Sequence, residues 1–412
     1  MAAARSDIRW GPVVLLEAAN VLSGVGNGIV VIAIPLLVLR ETGSAALYGL
    51  IAVLAVLPSL VALPFVGAMI DRYGPRWNSV ASDLASAASV LALPLLLALD
   101  LLTVPLIVLL AVLGAVIDPA GYTARKAAIA PAARASGLRT DSVNGVHDAL
   151  FGLGWAGGPP LGALLVAAGG VSSAFLVAGA LGLAAAAAMV GVRAAGRLAA
   201  PAGGTAAESR LAELAAGLRA VWRDRPLRVL TIVNGVLAAL YFPTEVVALP
   251  VHFEALGDTT GLGIALSALA GGYVVGAFSY GWLAARLRPA AIFRLALIGT
   301  ALAAVPLALL PPLPVMAAAG AVLGAAWGPI SPLVTSLVQQ RIEPAMQGRV
   351  FAVETTIITA LPPVMILATG LAVDAWRVDL VYLALGSAFA LTALVAINVP
   401  ALRGLDRAPD GP

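Results

Sequence analysis

The fold is decided by the stretch GPVVLLEAANVLSGVGNGIVVIAIPLLVL, residues 11–39, in which Glu17 is the single charged residue. A helix needs roughly 20 apolar residues to cross the hydrocarbon core of a bilayer. Arg5 and Arg9 precede the run, as basic residues do in a secretory signal peptide. The apolar part of such a peptide has only about 7–15 residues, so the stretch predicts a first membrane-spanning helix instead.

The composition of the whole chain agrees with a membrane protein. Of its 412 residues, 61% are hydrophobic and 11% are charged, and the mean hydropathy is +1.01. Soluble proteins have about 45–50% apolar and about 25% charged residues. Because a soluble globule needs charge to cover its outside, the composition excludes a soluble enzyme, a disordered protein and a nucleic-acid-binding protein.

Eleven further apolar runs follow the first one along the chain. The predicted spans cover residues 11–39, 46–70, 77–99, 102–122, 142–168, 172–193, 227–252, 260–285, 290–310, 313–337, 350–374 and 379–402. A strand of a membrane barrel would be only about 10 residues long, and open sheet edges are not tolerated in lipid. The pattern therefore predicts an all-α membrane protein with twelve transmembrane helices.

The distribution of basic residues fixes the expected orientation of these helices. If the N-terminus is cytoplasmic, 22 of the 24 basic residues lie in cytoplasmic segments, and only Arg40 and Arg377 lie outside. Such a bias is what the positive-inside rule predicts. We therefore expect a multi-pass protein of the plasma membrane with both termini in the cytoplasm.

The longest connection between spans, residues 194–226, divides the chain into halves. It begins with the flexible segment 201–204, and Thr205 and Glu208 have the spacing of a helix capping box. Apolar residues then recur at helical spacing to Trp222. We expect a short amphipathic helix on the inner membrane face, the alternative being a partner-binding segment. The predicted domains are a six-helix bundle at 1–193, this linker at 194–226 and a second six-helix bundle at 227–412.

The loops after spans two and eight are similar to each other. Residues 67–76 read GAMIDRYGPR and residues 281–288 read GWLAARLR, each with a basic residue five positions after the glycine. A duplicated six-helix unit explains this similarity, and transporters commonly have internal repeats. Asp71 and its neighbouring arginines can form a charge cluster that holds one conformation until it is broken. The alternative is a charged loop that only sets the topology.

Two motifs resemble those of a known family. Gly67, Asp71, Arg72, Gly74 and Arg76 resemble the signature loop of the major facilitator superfamily. The pattern in span five resembles the motif of the drug/proton antiporters of that superfamily, although Ala163 stands where its last glycine is usual. The residues of this span-five motif are Gly145, Gly154, Gly158, Pro159 and Gly162.

Shorter segments resemble the macrolide-efflux and siderophore-exporter branch of the superfamily. They are residues 23–26, 33–37, 42–44, 328–329 and 347–350. The resemblance covers nearly the whole chain and implies a monomeric secondary transporter that exports a small molecule, with protons as the coupling ion and no cofactor. In span five it implies a moving helix, with close packing at the glycines and a kink at Pro159; the alternative is a tightly packed static helix.

Ionisable residues inside the membrane are functional candidates because burying them is costly. In the superfamily, spans one, four, seven and ten line the central cavity, which implies cavity positions for Glu17, Asp118 and Glu245. A carboxyl group in an apolar wall favours its protonated form. Glu17, with Asn20 and Asn27 on the same span, is therefore a candidate for proton or substrate binding, the alternative being a structural hydrogen bond.

Glu245 is the candidate for ligand recognition. It follows Tyr241, Phe242 and Pro243 in span seven, and aromatic rings beside a carboxylate suit a cationic or aromatic ligand. The alternative is a glutamate that caps a kink at the proline. Trp327 in span ten is expected either to form a wall of the cavity or to pack in the core.

The remaining acids have simpler expectations. Asp118 either belongs to the ligand site or pairs with Arg76, Arg125 or Lys126, which would add it to the predicted conformational latch of Gly67, Asp71, Arg72, Gly74 and Arg76. Asp83 and Glu354 are expected in the N-terminal turns of spans three and eleven, where acids are favourable, the alternative being a functional role. His147 and Asp148 are adjacent in sequence, do not share one helix face, and are not predicted to form a dyad.

Other functions are excluded or remain as alternatives. There is no cysteine, and two histidines make a metal site unexpected. The sole lysine, Lys126, is not in a phosphate-binding loop, and no hydrolase motif is present. The chain is therefore predicted not to be an enzyme and to have no catalytic residue. A passive channel, and an importer or uniporter of a small polar solute with the same fold, are the alternatives.

Overall fold

The computed structural model describes residues 10–54, 69–70, 72–138, 140–192 and 207–406, and within these ranges every regular element is helical. The α-helices are α1 (Gly11–Thr42), α2 (Ala45–Leu54), α3 (Pro75–Ala98), α4 (Val104–Ser136), α5 (Thr140–Gly191), α6 (Ala207–Arg223), α7 (Arg225–Pro243), α8 (Leu249–Ala255), α9 (Thr259–Ala284), α10 (Pro289–Leu307), α11 (Leu313–Trp327), α12 (Ile330–Arg341), α13 (Pro344–Ala375) and α14 (Val378–Ile397). A π-helical turn, Thr244–Ala248, joins α7 to α8, and a 3₁₀ helix, Pro400–Asp406, ends the described chain.

Ten helical segments of the described chain are long and apolar enough to cross a membrane, so the predicted all-α membrane fold is confirmed. Three of the twelve predicted spans do not appear as separate helices of membrane-spanning length in the described chain. The predicted span at 46–70 is represented by α2, and most of its remainder lies outside the described residues. The spans at 142–168 and 172–193 lie together in α5.

Helix α5 is broken at two glycines near its middle. Gly169 has φ −146° and ψ 18°, and Gly170 has φ 75° and ψ 177°, whereas Pro159 keeps helical angles. A positive φ is available to glycine without steric cost. The departure from helical backbone angles therefore lies at Gly169 and Gly170, between the predicted spans at 142–168 and 172–193.

The contacts divide the chain into two compact units. The first comprises Met1–Gly43 and Ile51–Gly204, and the second comprises Ser44–Leu50 and Thr205–Pro412. A boundary between the units therefore runs through the middle of α2.

The first unit is built on close contact between α1 and α5. A Cβ atom placed on Gly158 would lie 2.4 Å from Cα of Gly28, and one placed on Gly162 would lie 2.9 Å from the carbonyl oxygen of Ile29. Backbones can approach this closely only because the side chains are absent. Apolar side chains of α1, α3, α4 and α5 fill the core beside this contact, among them Leu16 and Met189.

The second unit contains α6 to α14 around its own apolar core. Phe293, Leu297 and Leu337 are fully or almost fully buried there. Helix α6 packs against α13 through Gly217 and the buried Val221, and exposes Leu218 and Trp222. The predicted helix of the linker is thus present, while its predicted capping box at 205–208 lies outside the residues and side chains that the structure describes.

Candidate substrate and proton site

Glu17 is buried in the first unit beside a histidine from another helix. Its carboxylate oxygens lie 3.1 and 3.2 Å from Nδ1 of His147 on α5. Asn20 donates from Nδ2 to the carbonyl oxygen of His147 at 2.9 Å and lies 3.5 Å from Glu17. His147 is fully buried and Glu17 is 7% exposed. The three side chains form one polar cluster between α1 and α5.

This cluster has unused hydrogen-bonding capacity. Within the described chain, Nε2 of His147 and Oδ1 of Asn20 are buried and have no hydrogen-bond partner. Buried polar atoms are normally paired, with protein groups or with water. The cluster can therefore take up a proton or a water molecule without displacing a bond that is already made.

His147 and Asp148 contact different partners. Asp148 lies 3.0 Å from Nζ of Lys126 and accepts a 3.3 Å hydrogen bond from Tyr122, and this pair is about half exposed. His147 points instead toward Glu17 in the interior. Adjacent helix positions diverge by about 100°, so this arrangement follows from the geometry of α5.

Arg125 on α4 is the centre of a second buried cluster in the first unit. Its Nη1 lies 2.8 and 3.0 Å from the two carboxylate oxygens of Asp83 and 3.2 Å from Oγ of Ser79. Its Nη2 donates to Ser23 at 2.9 Å. Arg125 is 1% exposed and Asp83 is 4% exposed. One arginine thus joins α1, α3 and α4 in the interior.

Arg125 was one of the partners expected for Asp118, but it binds a different carboxylate. The carboxylate bound to Arg125 is Asp83 of α3, whereas Asp118 is hydrogen-bonded to Ser86 and interacts with Arg125 only electrostatically. Asp83 is nine residues into α3, and no acid lies in the first turn of that helix. The expectation of a helix-terminal role for Asp83 was therefore wrong.

Glu354 is also placed differently from the expectation. It lies ten residues after the start of α13, buried, with Oγ1 of Thr231 on α7 at 3.3 Å from its carboxylate. The first turn of α13 contains no acid. The helix-terminal role predicted for Glu354 was wrong, because α13 begins several residues before the predicted span.

Asn27 lines a small polar cavity in the first unit. Ser23, Asp83 and Ser86 are among the other residues of its wall. The cavity has a volume of about 10 Å³ for the centre of a water-sized sphere, which is roughly the space of one water molecule. Asn27 thus lies next to the Arg125 cluster and not in the Glu17 cluster.

Glu245 lies in a larger and mainly apolar cavity inside the second unit. Tyr241, Thr244 and Tyr382 contribute hydroxyl groups to its wall, and the hydroxyl of Tyr241 donates a hydrogen bond to Glu245. Within the part of the chain that the structure describes, no basic side chain forms an ion pair with Glu245. The volume is about 40 Å³ for the centres of water-sized spheres, which is space for roughly three waters.

A π-helical turn positions Glu245. The amide of Leu249 donates to the carbonyl oxygen of Thr244, five residues before it. Prolines flank this turn, Pro243 before it and Pro250 after it, and neither can donate a backbone hydrogen bond. π-helical turns are frequent at functional sites. Sequence reasoning missed this turn, although the two prolines around Glu245 were a signal.

An aromatic stack lies beside this cavity. The ring of Trp327 is 5.7 Å from that of Tyr241 and 6.2 Å from that of Phe389, at interplanar angles of 28° and 22°. Within the described residues, Nε1 of Trp327 is buried without a hydrogen-bond partner. The structure therefore brings together three residues predicted from the sequence, Tyr241, Glu245 and Trp327.

The predicted latch is described only in part. Gly67 and Asp71 lie outside the described residues. Gly74 has φ 80° and forms the turn before α3. Arg72 is exposed over the ring of Tyr73, whereas Arg76 donates to the carbonyl oxygen of Val190 and lies 5.0 Å from the ring centroid of Trp77.

Those glycines of the span-five motif whose surroundings are described face α1. A Cβ on Gly154 would lie 3.1 Å from the carbonyl oxygen of Val21, and Gly158 and Gly162 make the closer contacts given above. Pro159 and Ala163 are buried beside them. Gly145 is in α5, but its surroundings lie outside what the structure describes.

Comparison with known sequences identifies relatives of this chain. The family profile described as Major Facilitator Superfamily matches residues 16–366 and 246–404. A protein of Mycobacterium tuberculosis named multidrug efflux pump Tap is 36% identical over 404 residues, 97% of this chain and 96% of the relative. The protein of the same name from Mycolicibacterium fortuitum is 37% identical over 408 residues, 98% of this chain and 99% of the relative.

Comparison with solved structures shows the same fold at low identity. The nucleoside transporter NupG has a TM-score of 0.70 at 11% identity, covering 93% of this chain and 98% of that one. A D-xylose–proton symporter has a TM-score of 0.71 at 14% identity, covering 96% and 99%. At these identities the likeness concerns the fold alone.

Proposed function

Because this chain belongs to the Major Facilitator Superfamily and is a multi-pass membrane transporter, we propose that it exports small amphiphilic molecules, drug-like or siderophore-like, in exchange for protons. The relatives that match its full length are named multidrug efflux pumps. The observation within the chain that supports the proposal best is the acidic and aromatic cavity around Glu245. Transport would proceed by alternating access in a monomer in the plasma membrane.

The proposed architecture has twelve spans in two six-helix bundles, at 1–193 and 227–412, with the linker at 194–226 and both termini in the cytoplasm. Val146–Gly191 has 46 residues and would be about 69 Å long as one helix, roughly twice the hydrocarbon thickness. Its break at Gly169 and Gly170 supports two spans. Helix α2 supports the remaining one.

Glu245 is proposed to recognise the cationic group of the substrate. A carboxylate in an apolar wall, with no ion-pair partner among the described residues, attracts a cation, and the rings of Tyr241 and Trp327 add favourable cation–π contact. A drug-sized ligand needs roughly 300 Å³ or more. The cavity in the described state therefore accepts a cationic head group and not the whole ligand.

We expect Glu245→Gln to weaken binding of tetraphenylphosphonium by at least roughly tenfold, since two opposite unit charges roughly 6 Å apart attract each other by about 3 kcal/mol at an effective dielectric constant of about 20. Binding of a neutral amphiphile of similar size should change less than about twofold, because glutamine keeps the shape of the side chain. Equilibrium binding to purified protein measures both. Glu343→Gln, at an exposed glutamate, is the control, and equal losses for both ligands would contradict the assignment.

The Glu17 and His147 pair is proposed to carry the coupled proton. The carboxylate and the imidazole lie 3.1 Å apart and are buried between two helices, so a proton that reaches either group lies within hydrogen-bonding distance of both. Asn20 contacts both residues and is proposed to adjust how readily the pair binds and releases the proton. Asn27 is proposed to belong to the same pathway through the adjacent polar cavity.

The loop residues Gly67, Asp71, Arg72, Gly74 and Arg76, together with Asp118, are proposed as the latch that favours one access state. The contact of Arg76 with Val190 supports a role in tying the start of α3 to the end of α5. Asp118 would act through Ser86 and the neighbouring Arg125 cluster. An importer or uniporter of a small polar solute is the second candidate, and the direction of transport in inverted vesicles separates it from an exporter.

A further inference from the structure

A carboxylate at the end of α13 occupies the N-terminus of α2. Asp374 accepts hydrogen bonds from the hydroxyl of Ser44 at 2.6 Å and from the backbone amides of Ala45 and Ala46 at 2.8 and 3.1 Å. The hydroxyl of Ser44 in turn accepts from the amide of Leu47 at 3.2 Å. Three of the four free amides at the start of α2 are thus satisfied, two of them by a residue about 330 positions away.

The backbones of the two helices touch below this cap. A Cβ on Gly370 would lie 2.4 Å from the carbonyl oxygen of Ala45, and one on Gly49 would lie 2.5 Å from Cα of Leu367. Ala45 is only 3% exposed as a result. The first two turns of α2 are therefore held against α13 by the hydrogen bonds of Asp374 and by a seam of close backbone contacts at Gly49 and Gly370.

The contact of α2 with α13 involves only the first part of α2. Ser44–Leu50 belongs to the second unit, while Ile51 and the residues before Ser44 belong to the first. A change in the position of α2 therefore either bends this helix within its ten residues or separates its first turns from α13.

The same turns of α2 reach the proposed recognition site. Tyr48, one turn after the capped residues, interacts electrostatically with Glu245. The position of α2 on α13 therefore determines whether Tyr48 lies near the carboxylate that is proposed to bind the substrate cation.

We propose that Asp374 is a positioning residue for transport, which clamps the first turns of α2 onto α13, and that this clamp opens and recloses in each transport cycle. The second part of the inference rests on the proposed alternating-access function. The first part concerns the clamp itself and is measured without transport.

The absence of cysteine from the chain allows a direct test of the clamp. Ala45→Cys is labelled with a hydrophilic maleimide in lipid nanodiscs, where both membrane faces are accessible. We expect slow labelling, and labelling roughly five- to tenfold faster when Asp374→Ala is added, from the usual strength of a helix cap. Glu41→Cys, at an exposed position, should label rapidly in both backgrounds.

Two results would overturn the clamp. One is an unchanged rate at Ala45→Cys after Asp374→Ala, in protein whose melting temperature shows that it is folded. The other is labelling of Ala45→Cys as fast as Glu41→Cys while Asp374 is intact. Gly370→Ala is a second variant that leaves the cap in place and wedges the seam, and it should also accelerate labelling.

Reclosure is tested by transport after labelling. Protein labelled to completion at Ala45→Cys should lose transport, because the maleimide prevents α2 from returning to α13, whereas protein labelled at Glu41→Cys should transport as before. Normal transport by the fully labelled Ala45→Cys variant would contradict the cycle. If unlabelled protein transports nothing, the proposed function fails, while the labelling rates still decide the clamp.

Discussion

Replacing Gly158 by leucine is expected to abolish transport and to lower the stability of the protein strongly. The first side-chain atom alone would meet Cα and the carbonyl carbon of Gly28 at 2.4 and 2.7 Å, where neither backbone can yield without moving a helix. Overpacking costs about 1–3 kcal/mol even where flexible side chains can shift, and we expect at least about 3 kcal/mol here. Thermal unfolding in detergent and transport in vesicles measure the two effects.

The neighbouring glycine provides a matched control. A Cβ at Gly157 meets no atom within 4 Å, and this residue is exposed, about 100° around α5 from Gly158. Gly157→Leu should therefore fold and transport like the parent, and Gly158→Ala should be intermediate. Equal tolerance of leucine at positions 157 and 158 would show that the contact between α1 and α5 has no importance for this protein.

Breaking the Arg125 cluster is expected to have the second large effect. Asp83→Leu leaves the buried guanidinium of Arg125 with only the hydroxyl groups of Ser79 and Ser23. Removing one partner of a buried ion pair costs about 3–5 kcal/mol, whereas replacing both partners by apolar residues is often neutral. Asp83→Leu should therefore lower the melting temperature, and Arg125→Met added to it should restore most of the loss.

An exposed arginine–aspartate pair is the control for these two substitutions. Arg377 and Asp379 lie 2.9 Å apart with side chains 80% and 46% exposed. Water and salt screen such exposed pairs, so they contribute little to stability, and Asp379→Leu should hardly change the melting temperature. If Asp83→Leu is equally mild, or if Arg125→Met fails to improve it, the cluster is not a buried charge pair of the kind described.

Features that depend on one helix alone could be predicted from the sequence. The apolar runs gave most of the helices, and the glycines of the span-five motif indicated a close helix contact, which is found against α1. Tyr241 and Glu245, which the sequence singles out inside an apolar span, line one cavity, and Trp327 stacks on Tyr241 beside it. The resemblance to the superfamily is confirmed by the family profile and by the Tap proteins.

Features that depend on which helices meet could not be predicted. His147 lies 130 positions from Glu17, and Asp374 lies about 330 positions from Ser44. Arg125 binds Asp83 and not Asp118 because α3 packs against α4 at this point, which sequence spacing does not reveal. The π-helical hydrogen bond at Thr244–Ala248 spans one residue more than an α-helical one, and hydrophobic periodicity does not resolve this difference.

The coupling of export to protons through Glu17 is tested most directly by accumulation of tetraphenylphosphonium in proteoliposomes with an imposed pH gradient. The control is Glu41→Gln, which changes an exposed glutamate at the other end of α1. The parent protein and this variant should both accumulate the cation against its gradient, and the accumulated cation should leak out when the pH gradient is removed. Glu17→Gln should bind the cation with the parent's affinity but accumulate none. Accumulation by Glu17→Gln at the parent's rate, or transport by the parent that ignores the pH gradient, would contradict the account.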